Sequence, residues 1–169
     1  EALLQQVAAQ QASAEVMSQI TRLDSLTVKG GQMTDLRGLH RLKHLRSLKL
    51  IDCAVYDLSG LSQSSSLQEL SLKDNPVQEL WPIAKLQELS HINISGTQVS
   101  RLAPLHELPS LQVVQADQSQ VSQIRVIEFI QRRPEVLVIS HLNEKRQWWQ
   151  TLSPAWQRLV KEQLGETEP

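Results

Sequence analysis

The sequence predicts an α/β fold of one kind, a right-handed solenoid. Short parallel strands would line its concave face, 3-10, helical or extended returns its convex face, and helical caps its ends. Three observations predict it. Leucine recurs at a constant interval of 22 residues, at Leu23, Leu45, Leu67, Leu89 and Leu111, with Arg133 where a sixth would begin. The residues just after each leucine alternate apolar and polar. The second half of each interval is apolar at every third residue.

The alternation gives the strands. Counting each leading leucine as position one, position four holds Leu26, Leu48, Leu70, Ile92 and Val114, and position six holds Val28, Leu50, Leu72, Ile94 and Ala116. A period of two puts these side chains on one face of a strand and their neighbours on the other. Position eleven, Met33, Val55, Val77, Val99 and Val121, continues the apolar set. One coil alone cannot bury its leucines, but coils stacked at about 4.8 Å per strand merge their columns into a single apolar spine.

The steps of three give the returns. Position fourteen carries Leu36, Leu58, Leu80, Leu102 and Ile124, and position seventeen Leu39, Leu61, Ile83, Leu105 and Ile127. Three residues per turn suits short 3-10 or single-turn helices. Pro82 and Pro104 at position sixteen fit a first helical turn. The fifth return, "SQIRVIEFIQRR", lacks glycine and proline and is read as a true helix. Ser64 breaks the apolar column at position twenty, so a looser return is expected around "SQSSS".

The period and the segments "LSLKDNPVQELWPIAKLQE" (70–88) and "INISGTQVSRLAPLHELPS" (92–110) resemble the 22-residue class of leucine-rich repeats. That class includes bacterial internalins and the leucine-rich regulatory subunits of protein phosphatases. The resemblance spans about residues 23–140 and implies a fold more than a function, because such proteins share architecture and bind unrelated partners. Position nine of these repeats normally carries asparagine, which bonds backbone groups left unpaired at the turn. Here the column reads Gly31, Cys53, Asn75, Thr97 and Ser119, with His141 in the same register. Threonine, serine and cysteine offer weaker versions of that bond, so Cys53 is expected to be a buried structural thiol rather than a reactive one.

The chain divides into residues 1–22, a capping or connecting helix; 23–132, five repeats; and 133–169, a terminal strand ("VLVIS", 136–140) followed by a tryptophan-rich helical cap and a disordered tail. Leu3, Leu4, Val7, Ala8, Ala14, Met17 and Ile20 form one helical stripe for the first. Ser153, Pro154 and Gly165 fit the start and end of a closing helix, with Trp148, Trp149 and Trp156 either covering the last coil or serving a partner. The start at Glu1 suggests a processed product or a piece of a longer protein.

Function is bounded mainly by what composition excludes. Seventeen Lys and Arg against 18 Asp and Glu give no electrostatic reason to hold nucleic acid. No apolar run reaches the ~20 residues a membrane helix needs. A single cysteine permits no internal disulfide and no cysteine zinc knuckle. No cofactor motif occurs, and neither a catalytic nor a metal site is expected. Glu69 and His91 should project side by side, but with only Ser47 or Ser71 as nucleophile on an open surface they read as a cross-strand ion pair. Asp52 and Asp74 at position eight are too few for calcium, and His40 and His106 lie three coils apart, roughly 14 Å at the strand spacing.

The expected activity is therefore docking of a protein or peptide by a monomeric module on its concave face. Position three presents Ser25, Ser47, Glu69, His91 and Val113; position five Thr27, Lys49, Ser71, Asn93 and Gln115; position seven Lys29, Ile51, Lys73, Ser95 and Asp117. The face is polar and free of aromatics. Tyr56 and Trp81, on the same side of adjacent coils, form a secondary patch that serves either a partner or the packing of the coil edges. The alternative is a sensing or scaffolding arm of a larger enzyme whose catalytic part lies outside these residues.

Overall fold

A computed structural model describes residues 22–31, 34, 36–140 and 158, with the side chain of His40 excepted. Six strands form one parallel sheet in chain order. They are β1 (Ser25–Lys29), β2 (Ser47–Ile51), β3 (Glu69–Ser71), β4 (His91–Asn93), β5 (Val113–Gln115) and β6 (Leu137–Ile139). From β1 to β5 each residue pairs with the one 22 further on, as in Ser25 with Ser47, Glu69 with His91 and His91 with Val113. Leu48, Leu70, Ile92 and Val114 are buried, with at most 2 % of their surface exposed, while their strand neighbours face out. Burying each such side chain is worth about 1.5–3 kcal/mol, which is why the register cannot slip by one residue without inverting the core.

The chain leaves each of β1 to β5 through a left-handed residue at position eight: Gly30 (φ 70°), Asp52 (53°), Asp74 (58°), Gly96 (67°) and Gln118 (54°). Glycine meets this requirement without strain, and aspartate tolerates it better than most residues. Position nine then performs the expected bonding. The Asn75 amide donates to the carbonyls of Leu50 (2.9 Å), Leu72 (3.0 Å) and Lys73 (3.0 Å), and its Oδ1 accepts from the N–H groups of Cys53 and Val55, both at 3.0 Å. One side chain thus closes the turns of two coils. Thr97 and Ser119 make shorter versions, donating to Ile94 O (2.6 Å) and Ala116 O (2.7 Å). Cys53 is fully buried, its thiol on Ile51 O at 3.2 Å.

The returns are 3-10 turns at Arg37–Arg41, Ser59–Leu61, Trp81–Ile83 and Ala103–Glu107. Their signature is regular: the N–H of position seventeen donates to the carbonyl of position fourteen in Leu39, Leu61, Ile83 and Leu105, at 2.9–3.0 Å. At Gly60 a Cβ would run into the backbone of Leu36 and Arg37, so the close approach of the first two returns requires glycine. The return around Ser64 is not loose. Its N–H bonds Leu61 O at 2.9 Å and its carbonyl accepts from Leu67 at 3.1 Å, like the other coils, although the buried Ser64 hydroxyl has no partner among the described residues.

The fifth return is a true helix, α1 (Gln123–Arg132), capped by Ser122, whose side chain accepts from Arg125 N–H. It corrects two expectations. Ile124 and Ile127, placed in the buried columns by steps of three, are 69 % and 56 % exposed, and Val126 and Phe129 are buried instead. An α-helix turns 100° per residue rather than 120°, so its inward face drifts off the 3-10 columns. The interval also slips, since Val113 pairs with Leu137, 24 residues on. An α-helix rises only ~1.5 Å per residue against ~2.0 Å in a 3-10 turn, so it spends more residues to cross the same distance. Arg133 does not replace a leucine; its guanidinium, 14 % exposed, donates to the carbonyls of His106 (2.9 Å) and Leu108 (3.0 Å) and ties α1 to the fourth return.

The capping helix expected over residues 1–22 lies outside the described residues except Arg22, as do Met33, His141, Trp148, Trp149 and Trp156. No described helix is long and apolar enough to cross a membrane.

Candidate functional site

The parallel register turns the outward strand positions into ranks that cross the sheet. Ser47, Glu69, His91 and Val113 form one rank, and Lys49, Ser71, Asn93 and Gln115 the next. Lys49, Glu69, His91, Gln115 and Lys73 are exposed, while Ser47, Ser71, Asn93, Ser95, Asp117, Ile51 and Val113 are half-buried. Lys49, Glu69, Ser71, His91, Asn93 and Gln115 border an open hollow of about 310 Å³ with Val113 at its edge. Four adjacent coils contribute to it.

Hydrogen bonds order the rim. Ser47 Oγ donates to Glu69 Oε2 at 3.0 Å, and Lys49 Nζ stands 3.8 Å from the same oxygen. The side chains of that ion pair are half-exposed, so it contributes at most about 1 kcal/mol and leaves both groups able to exchange partners. Asn93 Nδ2 donates to Gln115 Oε1 at 2.6 Å, and Asn93 Oδ1 accepts from Ser95 N–H at 2.9 Å. The Gln115 amide N–H groups are left as donors. Ser90 Oγ donates its one hydrogen to Gln68 O at 3.0 Å, so the 2.9 Å contact with His91 Nδ1 has the ring as donor. Lys73 Nζ lies 3.6 Å from Asp74 Oδ2. The surface offers donors and acceptors in rows, at the strand spacing, over a short apolar floor.

Glu69 and His91 are neighbours in register, but the expected ion pair between them does not form. Glu69 turns toward Ser47 and Lys49, and His91 bonds its own chain neighbour. Around Glu69 and His91, therefore, no serine is relayed through the imidazole to the carboxylate. Among the described residues no group of three or more His, Cys, Asp and Glu converges as metal ligands would. Asp52 and Asp74 serve the left-handed turns. Tyr56 and Trp81 are 62 % and 59 % exposed. Tyr56 borders a separate hollow of about 420 Å³ with Arg37, Asp57 and Ser59 that Trp81 does not reach.

A second cluster had no signal in the repeat columns. Arg101, Arg125 and Arg132 occupy three different repeat positions, and only α1 brings them to one groove beside His106.

Such a sheet, its 3-10 returns and its turn asparagine define a leucine-rich-repeat solenoid, a fold that generally mediates protein–protein interaction. The model for the leucine-rich-repeat domain of the endo-β-N-acetylglucosaminidase EndoS matches residues 1–120, and the chain belongs to that family. Solved structures share the fold. An internalin (inlF) of Listeria monocytogenes superposes with a TM-score of 0.65 at 19 % identity, over 78 % of this chain and 38 % of its own. The internalin C2 (inlC2) of the same species gives 0.64 at 24 %, over 75 % and 55 %. A leucine-rich-repeat protein of Leptospira interrogans gives 0.65 at 21 %, over 75 % and 33 %. The chain thus spans between a third and little more than half of these structures. No curated protein matches it in sequence.

Proposed function

We propose that the chain is a non-catalytic interaction module that takes a protein or peptide ligand on its concave face. The observation that carries this reading is the set of in-register polar ranks around the hollow at Lys49, Glu69, Ser71, His91, Asn93 and Gln115. An extended segment laid across the strands would meet a donor or acceptor at each step of about 4.8 Å, with Ile51 and Val113 as its apolar contacts. Tyr56 and Trp81, large and exposed, offer a secondary contact outside that face.

The test is a capture experiment with the whole chain and a variant carrying Lys49→Ala, Lys73→Ala, His91→Ala and Asn93→Asp, the last keeping an oxygen for Ser95 N–H. Wild type is expected to retain a partner that the variant loses, with the melting temperature unchanged. Equal retention would move the site away from the concave face.

A second reading is favoured by the family description, which comes from a repeat domain inside an enzyme. In that reading the module is a sensing or scaffolding arm, and catalysis lies in a separate domain. A complete open reading frame that encodes this chain alone would eliminate it.

A further inference from the structure

On the convex side a groove of about 470 Å³ opens between the fourth return, Ala103–Glu107, and α1. Arg101 stands at one side, and Arg125 and Arg132, two helical turns apart on one face of α1, stand at the other. Arg125 binds Glu128 at 2.9 Å. Among the described residues no carboxylate pairs with Arg101 or Arg132, so the lining carries three positive charges against one negative. Arg133 is not part of this surplus, being committed to carbonyls and Glu135. Beneath the groove Leu102 and Phe129 are buried, and the His106 ring stacks on Phe129 with centroids 4.7 Å apart and planes 28° from parallel.

A groove of this volume lies within the range of small-molecule sites, about 300–1,000 Å³. Nothing in the fold requires its arginines, since Val126, Phe129 and Arg133 already dock α1. Two uncompensated guanidiniums beside a third match an anion of two charges and several oxygens, the setting in which bidentate arginine bonds are strongest. The half-buried His106 ring, backed by Phe129, offers a flat aromatic seat for whatever carries that anion.

We propose that this groove binds a doubly charged oxyanion, inorganic phosphate or a phosphate monoester on a small ring, held by Arg101, Arg125 and Arg132 over the His106–Phe129 stack. The site is independent of the concave face. His106 also senses it: burial first, then Arg132 and Arg133, hold its pKa below the ordinary histidine value, with Glu107 opposing. A bound dianion would cancel part of the arginine field and raise that pKa.

The 169-residue chain is titrated with inorganic phosphate and with phenyl phosphate, ionic strength being matched with sodium chloride, while the His106 imidazole resonances are followed by NMR. Saturable shifts are expected, together with a rise in the His106 titration midpoint. Phenyl phosphate binding about tenfold tighter would assign the seat to an esterified group, and equal affinity to the free anion. Arg101→Gln with Arg132→Gln is expected to weaken binding at least about tenfold and abolish the midpoint rise, with the melting temperature unchanged. Shifts reproduced by chloride alone, unchanged affinity in the double variant, or no saturable response at millimolar ligand would each overturn the proposal.

Discussion

In the second, third and fourth coils the return is a 3-10 turn that repeats every 22 residues, with apolar side chains packed at positions fourteen and seventeen. In the fifth coil the return is α1, the interval to the next strand grows to 24 residues, and the inward side chains become Val126 and Phe129. Both coils present the same strand to the same sheet. The difference teaches that the sheet, not the return, fixes a coil: once the strand leucines and the left-handed turn are in place, the convex side can be crossed by either backbone. The coils also differ in how the turn is closed. Asn75 makes five bonds for two coils, whereas Ser119 closes its own turn with a single short bond to Ala116 O and a long one from Val121 N–H.

The sharpest way to break this comparison is to truncate the fifth return. Phe129→Ala removes a fully buried ring and is expected to cost roughly 3–5 kcal/mol in urea denaturation. Ile127→Ala is expected to change stability by no more than about 0.5 kcal/mol, because Ile127 faces out of α1. Had the fifth return kept the 3-10 columns, Ile127 would be the costly one. A smaller contrast tests the turns. Asn75→Ala leaves several buried backbone groups without partners, so it should cost roughly 3 kcal/mol or more, against about 1 kcal/mol for Ser119→Ala. Equal losses would mean that the asparagine does not bridge coils.

The strands and the polar ranks were legible because both rest on backbone periodicity, and Leu48 or Ser71 can point only one way once the 22-residue interval is set. The fifth return was harder. Ile124, Val126, Ile127, Phe129 and Ile130 satisfy both a step of three and a turn of 100°, so the apolar pattern alone does not choose between faces. The absence of glycine and proline pointed to the helix, but the buried face follows only from where α1 meets the fourth return. Side-chain pairing was less legible still. Glu69 has Ser47 on one flank and His91 on the other at equal spacing, and the nearby ammonium of Lys49 accompanies its turn toward the second coil. The arginine groove was invisible, since Arg101, Arg125 and Arg132 share no repeat position and meet only because one return is an α-helix.

The smallest expected effect follows from the joint between the two kinds of return, where His106 of the fourth coil stacks on Phe129 of the fifth. Around this ring stand Arg101, Arg125, Arg132 and Arg133 as cations and Glu107 and Glu128 as anions, and its pKa is held down by burial and by Arg132 and Arg133. A histidine whose folded pKa is lowered binds fewer protons folded than unfolded between the two values. Stability must then rise with pH across that window and level off once the unfolded histidine is neutral. Below the folded pKa both states carry the proton, and the full penalty is present. Urea midpoints measured from mildly acidic to mildly alkaline pH should therefore climb for wild type through and just below the ordinary histidine range. His106→Gln, which cannot take up the proton, should lose this component of the climb while keeping the carboxylate-driven loss at lower pH, to which the Arg133-paired Glu135, with its lowered pKa, contributes. Parallel curves for the two proteins would show that the fourth and fifth coils are not coupled through this ring.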